Sequence, residues 1–129
     1  MKIFSIGFLT LLALTSCTKT EGTGGAATVK GTVIVEEYNT FGTLLDTYPA
    51  QDQKVFIIYG SEDNLVDDDV STSYDGSFEF KYLRTGSYTA FVYSDCRTCA
   101  SGDSAVKVSF EIDAKKDELD LSDIIIHKY

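Results

Sequence analysis

At 129 residues the chain has room for one domain and not two. Hydrophobic residues make up 43% of it, enough for a core, which argues against wholesale disorder. Its formal charge of -9 repels phosphate backbones and anionic lipid heads, so nucleic acid is not an expected partner and any membrane contact must have another source.

Met1-Lys2 supplies a short positive start, and Ile3 to Leu14 follows as an apolar run. About a dozen residues suit the hydrophobic region of a signal peptide and fall short of the about 20 a spanning helix needs. The run closes on Leu14-Thr15-Ser16-Cys17, an aliphatic residue, two small ones and a cysteine. This tetrapeptide resembles the lipobox of bacterial lipoproteins. The resemblance implies a signal peptide over residues 1–16, cleavage before Cys17, a diacylglycerol on the Cys17 thiol and an acyl chain on its new amine. Several acyl chains, at about 0.8 kcal/mol per buried CH₂, give lasting attachment where one gives only marginal binding. The address so implied is the cell envelope, as an outer-membrane lipoprotein on its periplasmic or surface face. Lys19 followed by Glu21 is similar to the charged signal of some surface-displayed lipoproteins, with Thr20 interrupting it.

Residues 17–28 read as the lipidated cysteine and a flexible tether, because Gly, Thr and Ala dominate without periodicity. From Val29 the period becomes two. Val29, Gly31, Val33 and Val35 alternate with Lys30, Thr32, Ile34 and Glu36, the pattern of a half-buried strand. Phe41, Leu44 and Leu45 interrupt the next connection as an extra hairpin arm or a plug over one end of the core. Lys54 to Tyr59 is apolar on both faces and belongs inside a sheet. Val70 to Tyr74 and Ser77 to Tyr82 flank Asp75-Gly76, which predicts a two-residue hairpin turn. Phe78, Phe80 and Tyr82 are expected to share the inward face. Tyr88 to Tyr93, Ala105 to Asp113 (Val106, Val108, Phe110 and Ile112 inward) and Leu119 to Tyr129 complete about seven strands, an all-β sandwich.

The stretch from Tyr74 to Thr89 contains Asp75-Gly76, Phe78, Phe80, Leu83, Gly86 and Tyr88 at fixed offsets. It resembles the D-G-x-[FY]-x-F-x-x-L-x-x-G-x-Y signature of carboxypeptidase regulatory-like domains, transthyretin-like (prealbumin-like) sandwiches related to the B-type domains of collagen adhesins. Gly31-Thr32-Val33 and Val55-Phe56-Ile57 fit that family's first core strands. The resemblance covers most of residues 29–129. It implies a Greek-key sandwich of about seven strands with no catalytic residues, since each signature position has a structural task.

Cys96-Arg97-Thr98-Cys99 lies between two strands beside Asp95, which raises thiol pKa, and not at a helix start, which would lower it. A structural disulfide is the expectation; free thiols and a redox or metal role are the alternatives. Zinc lacks ligands, with Cys17 committed to lipid and His127 the one histidine. Glu62, Asp63, Asp67, Asp68, Asp69 and Asp75 could attract calcium, but their spacing matches no EF-hand loop. Lys30 and Glu79 suit an isopeptide of the collagen-adhesin kind, except that the last strand offers Asp123 and no Asn. No catalytic residue, metal or cofactor is therefore expected beyond the lipid on Cys17. The leading functional expectation is a membrane-anchored binding or scaffold module that docks another envelope protein through a strand edge. The alternative is glycan binding through Tyr59, Phe91 and Tyr93, and a third class is thiol chemistry at Cys96 and Cys99.

Overall fold

A computed structural model of the chain describes residues 21–60, 65–114 and 118–129. The lipobox and Cys17 lie outside these. The described residues form nine strands rather than the seven expected: β1 (Thr23–Tyr38), β2 (Leu44–Pro49), β3 (Lys54–Tyr59), β4 (Asp68–Ser71), β5 (Ser77–Leu83), β6 (Gly86–Asp95), β7 (Asp103–Ile112), β8 (Glu118–Asp120) and β9 (Ile124–Lys128). The excess comes from short pieces, the β2 arm and the three-residue β8.

Two sheets face each other across an apolar core. In the first, β1 is the spine: β5 and β2 pair with it antiparallel, and β8 and β9 pair with it in parallel. The second runs β4-β3-β6-β7, antiparallel throughout. Alternation drives this arrangement, because Val29, Val33 and Val35 of β1, Val55 and Ile57 of β3 and Ile124 and Ile126 of β9 all turn inward and are buried. Each such side chain contributes about 1.5–3 kcal/mol by leaving water. β3 lies between β4 and β6, as its two apolar faces require.

Three expectations need correction. The tether does not run to residue 28, because β1 starts at Thr23. Glycine serves close approach there: a Cβ on Gly25 would lie 2.1 Å from the Leu83 carbonyl oxygen, so only glycine lets β1 meet the end of β5. Asp75-Gly76 does not close a hairpin between paired strands, since β4 belongs to one sheet and β5 to the other. The tight turn (Gly76 N–H to Ser73 O, 3.0 Å) instead carries the chain across the sandwich. Tyr82 does not share the inward face of Phe78 and Phe80. Its φ of 60° breaks the alternation, leaving Tyr82 67% exposed and turning Leu83 into the core.

Candidate functional site

A sheet in a sandwich needs one apolar face, and its other face is ordinarily polar. The β4-β3-β6-β7 sheet departs from that rule. On β3, Val55 and Ile57 point inward while Lys54, Phe56 and Ile58 occupy the opposite face. Phe56 pairs across the ladder with Phe91 of β6 on one side and Asp69 of β4 on the other, and Phe91 pairs with Lys107 of β7. One outer row therefore reads Asp69, Phe56, Phe91, Lys107. The Phe56 and Phe91 rings stack with centroids 5.2 Å apart at 23°. Tyr93, two residues further along β6, stands edge-on to both at 5.7 and 5.5 Å. Phe91 is only 6% exposed because these neighbours cover it, whereas Tyr93 is 51% exposed.

Polar groups surround the rings. Thr89 and Ser109 face each other one row along, their hydroxyl oxygens 3.3 Å apart. Lys54 binds Asp69 at 2.8 Å, and this contact raises the Lys54 pKa above its ordinary value. The cluster thus offers one exposed ring, Tyr93, backed by the half-buried Phe56 and the buried Phe91, with hydroxyl, ammonium and carboxylate groups at its border. Such a surface can hold an apolar ring face by stacking while the border accepts and donates hydrogen bonds.

Of the three aromatics expected to bind glycan, the fold brings Phe91 and Tyr93 together and separates Tyr59. Tyr59 turns inward and packs edge-on against Tyr88 at 5.7 Å; burial, then Asp68 and Asp67, raises its hydroxyl pKa. Phe56 takes its place, from a strand whose residues are apolar on both faces. Its odd spacing from Val55 and Ile57 was the available signal.

Cys96 and Cys99 lie in the β6–β7 connection and are joined as a disulfide. No helix among the described residues adjoins them to activate a thiol. The bridged loop instead presents Arg97, whose guanidinium donates to the carbonyls of Thr40 (2.9 Å) and Asn39 and lies 4.1 Å above the Tyr129 ring. The β1–β2 turn, the disulfide loop and the C-terminal strand are thereby fastened at one end of the sandwich. His127 sits there on β9, its Nε2 4.0 Å from Glu36 Oε2 and its ring beside Tyr38 and Tyr129. Among the acids considered for calcium, Asp67 accepts from Tyr59 N–H (2.7 Å), Asp69 holds Lys54, and Asp75 accepts from Ser77. Among the described residues no group of three or more His, Cys, Asp or Glu is placed to hold a metal. Lys30 stands opposite Glu79 on β5 and forms an ion pair with Glu118, which raises the lysine pKa.

No protein-family model matches the chain, and no curated protein sequence matches it. Similar solved structures include (S)-allantoin synthase, at 12% identity and a TM-score of 0.45 over 78% of this chain and 42% of that one. Another is a proposed carbohydrate-binding protein from Pseudomonas aeruginosa, at 11% identity and a TM-score of 0.44 over 81% of this chain and 89% of that one. The chain spans less than half the length of the synthase. At such values neither likeness bears on function.

Proposed function

We propose that the chain is a non-catalytic carbohydrate-binding module of the bacterial envelope, held at a membrane by lipid on Cys17. The binding reading rests on one observation: Phe56, Phe91 and Tyr93 gather on the outer face of a sheet whose inner face already supplies the core. Sugar rings present flat patches of C–H groups that stack on aromatic faces, and their hydroxyls suit a border of Thr89, Ser109, Lys54 and Asp69. A neutral glycan fits this border better than an anionic polymer, because the chain carries -9 overall. The anchor rests on the lipobox resemblance, and the sandwich would be of the carboxypeptidase regulatory-like, transthyretin-like kind that the Tyr74 to Thr89 signature resembles.

β1 also supports a direction for the molecule. Sixteen residues at about 3.3 Å each give a strand on the order of 50 Å long. With lipid on Cys17, the start of β1 would lie near the bilayer and the β1–β2 turn far from it. A protein partner is the second reading, favoured by the apolar tip of that arm: Phe41 is 91% exposed, and Leu44 and Leu45 are exposed beside it.

Affinity electrophoresis through gels carrying soluble neutral polysaccharides tests the first reading. Retardation by at least one polysaccharide is expected, with Tyr93→Ala weakening it about tenfold or more and leaving the melting temperature nearly unchanged. No retardation by any glycan, or equal retardation of Tyr93→Ala, defeats it. Capture of an envelope protein through Phe41, lost in Phe41→Ala, would support the second reading. Labelling with a radioactive fatty acid, abolished by Cys17→Ser, tests the anchor.

A further inference from the structure

We infer that β7 is a self-association edge, through which two copies of the chain join their four-stranded sheets into one continuous sheet. β7 is the outer strand of its sheet, ten residues long and paired only with β6, so one side of its backbone has no ladder partner among the described strands. Its inward side chains carry the mark of an uncovered edge. Ile112 is buried, but Val106, Val108 and Phe110 are only half-buried although they pack against the core. Natural edges are commonly blocked by shortness, by proline, by inward-pointing charges or by charged side chains along the edge. β7 has only the last of these, since Asp103, Lys107 and Glu111 all point outward, where a second copy can pair with them.

The order of those charges selects the occupant. When β7 meets a second β7 antiparallel about a two-fold axis perpendicular to the sheet, like-facing residues oppose each other and the register has one free choice. Centred on Ser109, the pairing sets Lys107 opposite Glu111 of the second copy and Glu111 opposite its Lys107. Val108 then meets Phe110 on the inner face, and both copies gain each contact. Centred on Lys107, the pairing opposes two lysines and sets Asp103 against Glu111, which is unfavourable twice over. Lys107 has no ion-pair partner among the described residues of its own chain, so the attraction is available. Ser109 lies at the centre, with only its hydroxyl contact to Thr89 to give up. The joined sheet would place both aromatic clusters on one face, with three strand spacings of about 4.8 Å between the two β6 strands. This pairing stands independently of what the aromatic face binds.

Cysteine crosslinking of the full chain in its own membranes tests it. Ser109→Cys should give a disulfide dimer on mild oxidation, several-fold above the yield from Thr47→Cys on the β2 arm. Adding Lys107→Glu should lower the Ser109→Cys yield on the order of tenfold, since both symmetric pairs become repulsive. Adding Lys107→Glu together with Glu111→Lys should restore it. A Ser109→Cys yield equal to that of Thr47→Cys overturns the proposal, as does failure of the double exchange to restore crosslinking. A product containing another polypeptide in place of a second copy overturns it as well. Retardation by glycan in a chain that fails these tests would leave the binding reading intact.

Discussion

The hydroxyl of Tyr88, buried near the start of β6, accepts a hydrogen bond from Gly22 N–H at 3.0 Å and donates one to the Arg84 carbonyl at 2.7 Å. The two residues stand 66 positions apart, and their contact closes the end of the sandwich where β1 begins. Arg84 N–H reaches back to the Gly22 carbonyl at 2.8 Å, so the segment before β1 is held from both sides.

Tyr88→Phe should therefore lower stability by about 1–2 kcal/mol, because it strands the buried Gly22 N–H and removes the hydrogen bond to the Arg84 carbonyl. Burial, foremost, raises the Tyr88 pKa above its ordinary 10.0, with Glu21 adding to the effect and the Gly22 and Arg84 contacts opposing it. A raised acid favours the folded state while it is neutral. Its contribution is complete below pH 10.0 and fades as pH rises through the higher folded value. Denaturant melts at pH 7 and above pH 10 check both points (the gap between parent and variant should narrow at the alkaline end).

Gly76 cannot carry a side chain. Its φ is +80°, and a Cβ would lie 2.5 Å from the Val33 carbonyl oxygen and 3.1 Å from Pro49 Cβ. The inter-sheet turn depends on that approach, since Val33 N–H bonds the Gly76 carbonyl at 2.8 Å. Gly76→Ala should cost on the order of 3 kcal/mol, combining the positive φ with a backbone clash. Equilibrium unfolding in urea measures it, and a loss under about 0.5 kcal/mol would contradict the turn geometry.

Asp75 gives the acid side of the stability profile. The Ser77 hydroxyl and then the Ser77 N–H bind its carboxylate, at 2.6 and 3.1 Å, and hold its pKa below the ordinary 3.8. A depressed carboxylate contributes stability above its unfolded pKa and loses it as pH falls through the lower folded value. Asp75→Asn should thus be less stable than the parent at neutral pH, and the two should converge below about pH 3. Parallel melting curves down to pH 2 would refute this.

Arg97 links the disulfide loop to the β1–β2 turn through the Asn39 and Thr40 carbonyls. The four-residue Cys96–Cys99 loop contributes about 2 kcal/mol in the chain-entropy estimate. Reduction by a thiol should lower the melting temperature by several degrees, and Arg97→Ala should remove part of that sensitivity by unfastening the turn beforehand. Melting with and without reductant for both chains provides the comparison.

Sequence alone determined the strand content and most of the core, because alternation at Val29, Val33 and Val35 and at Phe78 and Phe80 admits only one solvent-averse face. It also located the Cys96–Cys99 loop between two strands. What it could not decide was which strands meet. Asp75-Gly76 has the local chemistry of a hairpin turn, and only the sheet assignments of β4 and β5 reveal it as a crossing between layers. Nor could it separate Tyr59 from Phe91 and Tyr93, or add Phe56 to them, since an aromatic-rich strand reads alike from either side. Face and neighbour are set by cross-strand register, which joins Phe56 to Phe91 across 35 positions of chain, and no local pattern carries that information.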